Sequence, residues 1–295
     1  MSYYSIRNDK YTAVIHSIGA NCISLRHESL KNGILREPTS EKKDNPFLYG
    51  TPLLFPVNRI SNAKFSFDGR EYSFPVNEEK TGCHLHGELH QKEFSLISHT
   101  EKSLVLALKV KKRQGFMHDF EIRIRYSLSK SGLTQKVTVK NFSDKKMPCM
   151  LGFHTTFNGN FAGDGKVSVF ASVKEEIERN MQNYLPTGRV LGLDDAGKDL
   201  VNGRFSLKTI SKHYRADENV AILYNNDKKI KVKYEYDEKY KFRLVYGTKD
   251  FICLEPQTCI VDAPNLSGKF IDDGFDFVLP FDKKIYYTKI SVKEN

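Results

Sequence analysis

Asp119-Phe-Glu-Ile-Arg-Ile-Arg-Tyr-Ser-Leu128 alternates without interruption. Phe120, Ile122, Ile124, Tyr126 and Leu128 fall on one side of an extended chain, and Glu121, Arg123, Arg125 and Ser127 on the other. Residues two apart share a face only in a strand, so this run predicts a half-buried antiparallel strand. After the turn-forming Ser129-Lys-Ser-Gly132, residues 133–140 alternate again, with Val137 and Val139 opposing Lys136, Thr138 and Lys140. Phe65-Ser-Phe67 and Tyr72-Ser-Phe74 flank Asp68-Gly69-Arg70-Glu71, which predicts a hairpin. Short runs of the same kind recur at residues 13–18, 22–26, 104–110, 230–236, 242–246 and 285–292. The one helix this reading expects is short and near residues 173–181. Many short strands punctuated by turns predict an all-β protein, a large antiparallel β-sandwich with few short helices. No internal repeat or low-complexity linker divides the chain, so residues 1–295 read as one domain.

Composition narrows the function. The 295 residues carry 46 Lys and Arg against 36 Asp and Glu, a net charge of +10. The surplus is dispersed, as in Lys111-Lys112-Arg113, and no helix-turn-helix, zinc-finger or RNP-type pattern accompanies it. No nucleic-acid partner is expected. The longest uncharged stretch, residues 45–58, contains three prolines and is shorter than the ~20 residues a membrane span needs, so no membrane partner is expected either. Five cysteines without a CxxC pair argue against a disulfide framework and a structural zinc site. With no secretory signal at the amino terminus, the expected compartment is the cytoplasm.

Four segments hold the candidate chemistry. Cys83-His-Leu-His-Gly-Glu-Leu-His90 places His84 and His86 two apart, on one face of a strand, where a metal would need a further ligand; a structural role for His84 or His90 is the plainer reading. His86 stands beside Gly87, which admits close approach of another group to the backbone. Arg59 lies within apolar Leu53–Ile60 and needs either a ligand rich in oxygens or a buried salt bridge. His154 sits inside Met150-Leu-Gly-Phe-His-Thr-Thr-Phe-Asn158. Glu255 ends the apolar run Phe251-Ile-Cys-Leu, before Pro256-Gln-Thr258. Burial there raises a carboxyl towards the range of a general base.

In order, Pro52-Leu-Leu-Phe-Pro-Val-Asn-Arg-Ile60, His84-Leu-His-Gly87, Gly152-Phe-His-Thr-Thr-Phe-Asn158 and Leu254-Glu-Pro-Gln-Thr258 resemble the motifs of the aldose 1-epimerase (galactose mutarotase-like) family, across nearly the whole chain. The resemblance implies a large β-sandwich and an isomerase that interconverts the anomers of a free aldose with neither metal nor organic cofactor. It implies Glu255 as base, His154 as acid, and Arg59 and His86 as hydrogen-bonding partners of the sugar. The partner it implies is a small-molecule hexose or hexose phosphate, on a monomer or homodimer. Two departures stand out. The family's His-Pro-Tyr-Phe-Asn reads His154-Thr-Thr-Phe-Asn158, and Lys212, in Ser211-Lys-His-Tyr214, stands near where an aspartate gripping distal hydroxyls is expected. A cation there would suit a phosphorylated or carboxylated sugar. The alternatives are a carbohydrate-binding protein without activity, and a glycosidase or lyase, which generally needs a second carboxylate such as Asp262 or Asp164 beside Glu255.

Overall fold

The structure, a computed structural model, describes residues 1–39, 45–266, 270 and 272–294. Its frame is an antiparallel sheet of 15 strands. The strand Phe120–Ser129 pairs with Gly132–Asn141 through a two-residue turn, Ser129 opposite Gly132. From Ile122 onward the alternation is realised as read: Ile122, Ile124, Tyr126 and Leu128 are buried, Arg123 and Arg125 exposed. Glu121 departs from it, being buried and ion-paired to Arg123 at 2.9 Å. Each fully buried Ile or Phe of that face contributes roughly 1.5–3 kcal/mol over its exposed state. The second hairpin, Lys64–Phe67 with Arg70–Ser73, turns through Asp68 and Gly69, both at positive φ as a two-residue turn of this hand requires.

The ladder runs from Leu53–Leu54 through Gly152–Phe153, Phe251–Gln257 and Phe242–Gly247 to the long strand Ile210–Asn225. That strand changes partner midway. Residues 210–215 pair with Phe242–Gly247, and residues 220–225 pair with Ile230–Tyr236. The ladder then continues through Lys283–Glu294 and Gly132–Asn141 to Phe120–Ser129, Ser103–Val110 and the edge strand Ser95–Thr100. One buried apolar cluster joins residues from Ile6 to Ile290. The five cysteines are buried free thiols. Among the described residues no helix is long and apolar enough to cross a membrane.

The helix expected near residues 173–181 is not there. Val167–Arg179 is a strand, with Ile210–Asn225 on one edge and Pro186–Leu191 on the other. Lys174, Glu175 and Glu176 favour helix locally, but tertiary pairing overrides propensity. Two neighbouring strands take the backbone bonds and also meet the charges: Glu176 bonds Lys212 at 2.5 Å, Glu175 bonds Arg215 at 3.1 Å, and Glu178 grips Arg189. Among the described residues the α-helix forms instead at Asp195–Val201, where the Asp194 carboxylate accepts from Gly197 N at 2.9 Å.

Candidate active site

Strand register brings Glu255 and His154 together. In the ladder Gly152 is opposite Gln257 and Thr156 opposite Cys253, so His154 falls opposite Glu255. Opposed residues of an antiparallel pair point to one face, with Cβ atoms about 5 Å apart. Here His154 Nε2 stands 3.1 Å from Glu255 Oε1. The contact lacks hydrogen-bond alignment, and among the described residues Oε1 has no other partner. Oε2 accepts from Gln257 Nε2 at 3.1 Å, and Gln257 Oε1 accepts in turn from Asn58 Nδ2 at 3.3 Å.

Both groups are nearly sealed from water, Glu255 at 1% exposure and His154 at 8%. Burial pushes the Glu255 carboxyl up to about 8, against the Gln257 hydrogen bond and the charges of Arg179 and Arg59. Burial pushes His154 down to about 4. Desolvation therefore favours the neutral form of each. Between those values the pair holds one proton, and moving it from Glu255 to His154 leaves the net charge unchanged. A site with one movable proton between two groups 3.1 Å apart is equipped to give a proton and take one in the same event.

Arg59 combines the two readings its sequence context left open. It lines the cavity above this pair and is also bridged, donating from Nε and Nη2 to the two Glu78 oxygens at 2.6 and 2.7 Å. The Tyr184 ring lies 4.7 Å from its guanidinium. His86 faces the same cavity from the left-handed region, φ 61°, with its N–H donating to Asn58 O at 2.9 Å. Its ring packs on Phe47 at 4.7 Å and stands 5.8 Å from the His154 ring. Gly87 is required as its neighbour: a Cβ there would lie 1.9 Å from the Phe55 carbonyl oxygen. The turn at His86 also breaks the strand geometry that would have put His84 beside it. His84 instead meets Pro75 O at 2.8 Å through Nδ1 and stacks on Phe74. Among the described residues no three His, Cys, Asp or Glu side chains gather as a metal site.

The cavity of about 460 Å³ also exposes residues the sequence reading passed over, chiefly Arg179, Tyr184, Ser211, Tyr246 and Phe47. Arg179 was hidden by the misplaced helix. Extending the alternation of Val167, Val169, Ala171 and Val173 through Ile177 would have put Arg179 on the buried side. Its Nη2 donates to Ser211 O at 2.8 Å and Ser211 Oγ at 3.1 Å. Lys212 takes no part. It alternates away from Ser211 to the other side of the strand, where Glu176 at 2.5 Å and Asp194 at 3.2 Å neutralise it. The cation expected at the distal end of a sugar is therefore not Lys212.

Comparison with known proteins agrees with this architecture. A family model described as aldose 1-epimerase matches residues 2–271. The uncharacterized protein YihR of Escherichia coli K12 is 25% identical over 152 residues, 51% of this chain and 48% of that one. YphB of the same organism is 31% identical over 106 residues, 36% of each chain. The matched region thus spans about half of YihR and about a third of YphB. Among solved structures, a galactose mutarotase-like protein from Clostridium acetobutylicum superposes with a TM-score of 0.90 at 26% identity, covering 99% of this chain and 95% of its own. The fold is the galactose mutarotase-like β-sandwich.

Proposed function

The chain belongs to the aldose 1-epimerase family, and from that premise we propose that it interconverts the α and β anomers of an aldose by acid–base opening and reclosure of the ring. The observation that carries the reading is the 3.1 Å approach of His154 Nε2 to Glu255 Oε1 at the floor of an open cavity. One group takes the proton of the C1 hydroxyl while the other gives a proton to the ring oxygen. The C1–O5 bond breaks, an aldehyde forms, and rotation about C1–C2 allows closure on the opposite face. No atom changes oxidation state, so the step calls for no redox cofactor.

Glu255 serves as the base and His154 as the acid. Burial alone leaves the shared proton on Glu255. The positive charges of Arg179 and Arg59 offset part of that burial without reversing it, so the working form, with Glu255 ionised and His154 protonated, is reached by moving the proton within the pair. Arg59, pinned by its fork on Glu78, and His86, wedged on Phe47, hold ring hydroxyls in fixed positions. Such positioning contributes more than the ~10²–10⁴-fold of the proton transfers themselves. In the absence of Trp, Phe47, Tyr184 and Tyr246 supply the aromatic walls. The reading assigns residues 1–295 to one β-sandwich domain, supported by the continuous core from Ile6 to Ile290.

The test is anomer exchange followed by NMR on a panel of hexoses and hexose phosphates. The expected result is exchange well above the buffer rate with at least one sugar, abolished in Glu255→Gln, which still binds it. Binding without exchange in the unsubstituted protein would instead identify a carbohydrate-binding protein of this fold.

A further inference from the structure

Resting on the epimerase reading, and narrowing its substrate, a second arginine in the cavity identifies the far end of the sugar. Arg59 has its charge balanced by the Glu78 fork. Arg179, in the same cavity, forms no ion pair among the described residues. Its hydrogen bonds run from Nη2 alone, to the carbonyl and hydroxyl of Ser211, which leaves the donors of Nε and Nη1 without a described partner. The nearby carboxylate of Glu176 is taken by Lys212 at 2.5 Å. Holding a half-buried guanidinium without a carboxylate is costly unless a ligand supplies the anion.

Strand register fixes where that anion would sit. His213, Leu244, Glu255 and His154 form one row across the ladder, and Ser211 lies two residues along from His213. Two strand spacings and two residue rises separate Ser211 from Glu255 by roughly 11 Å between Cα atoms. Arg179 meets Ser211, and Glu255 lines the same cavity, so the gap is one that a pyranose bearing one further group on its terminal carbon would bridge. Planar, forked guanidinium donors suit oxyanions, and the Ser211 hydroxyl adds a neighbouring polar contact.

We propose that Arg179, with Ser211, binds an anionic group on the carbon of the sugar farthest from the anomeric centre, so that the preferred substrate is a negatively charged aldose, a hexose 6-phosphate or a hexuronate. A neutral hexose is turned over less efficiently because it leaves the half-buried guanidinium without an anionic partner.

The experiment measures kcat/KM for anomer exchange with glucose, glucose 6-phosphate and glucuronate, in the unsubstituted protein, Arg179→Gln and Arg179→Lys. The expected result is an anionic-over-neutral ratio of about tenfold to a hundredfold, the range of one charge-assisted interaction. That ratio should collapse in Arg179→Gln and be partly restored in Arg179→Lys. The two anionic arms distinguish phosphate from carboxylate. A ratio near one in the unsubstituted protein, or an unchanged ratio in folded Arg179→Gln, overturns the inference. If no sugar exchanges, the epimerase reading fails, and calorimetric affinities of the same sugars judge this inference by the same ratio. Should Arg179→Gln not fold, the unsubstituted protein and Arg179→Lys decide it.

Discussion

Glu255 and His154 share a single proton over a wide interval of pH, and the limits of that interval are the limits of the proposed activity. Below about 4 His154 gains a second proton for the pair and no base remains. Above about 8 Glu255 gives up its proton and no acid remains. The expected profile of kcat/KM is a bell with a plateau between those limbs, belonging to the pair as a unit. Stopped-flow polarimetry from pH 3 to 10 would read it, and activity unaffected across that range with chemistry rate-limiting would contradict the assignment. His154→Gln should lose about 10²–10⁴-fold in kcat, the usual contribution of one positioned acid or base. It should also lose the acidic limb, which reports the second protonation of the pair at His154. A loss of rate with both limbs intact would mean that His154 is not the acid. Gln257 and Asn58 matter at this scale too, because their relay holds Glu255 Oε2 and leaves Oε1 to face His154.

At the level of strands and turns, the site depends on features that are cheap to test. Gly87→Ala must place a Cβ against the Phe55 carbonyl while holding φ at +66°, and a left-handed conformation alone costs Ala about 1–2 kcal/mol. A loss of about 3 kcal/mol or more is expected, read as a lower urea midpoint, with sugar affinity weakened because His86 is the preceding residue. A neutral effect would mean that the turn relaxes freely. Lys212→Met removes a partly exposed pair to Glu176 and Asp194 and should cost about 1 kcal/mol without altering the choice between charged and neutral sugars. Strands were legible wherever alternation was undisturbed, as at Phe120–Ser129 and Ile230–Tyr236. The motifs also named Arg59, His86, His154 and Glu255, four residues far apart in sequence that line one cavity. What stayed hidden was set by neighbours distant in sequence. The charges of residues 174–178 look like a helix face until Lys212, Arg215 and Arg189 arrive from adjacent strands to pair with them. Glu78, which fixes Arg59, carries no local sign of that task. Lys212 was misread because the direction of a side chain depends on register, and one residue along a strand reverses it.

For the molecule as a whole, an acid–base pair buried in the sandwich is a cost to stability that the rest of the core must offset. In the unfolded chain the carboxyl of Glu255 titrates near 4.5, and in the fold near 8. Below 4.5 it is protonated in both states and costs nothing. As pH rises from 4.5 towards 8 the unfolded chain sheds the proton while the fold retains it, so stability falls, by on the order of 4 kcal/mol at the upper end. His154 acts in the opposite sense. Its folded value near 4 lies below the ordinary 6.5, so stability falls as pH drops from 6.5 towards 4. Replacing Glu255 by Gln removes only the alkaline penalty and keeps the shape of the side chain. Glu255→Gln is therefore expected to melt higher than the unsubstituted protein at pH 8.5, by several degrees for a chain of this length, and to lose most of that advantage at pH 5. Differential scanning calorimetry of both proteins at the two pH values measures it. A difference that is constant with pH, or larger at pH 5, would show that Glu255 is already ionised in the fold, and the pair would then lack the carboxyl-held proton on which the pH profile was built.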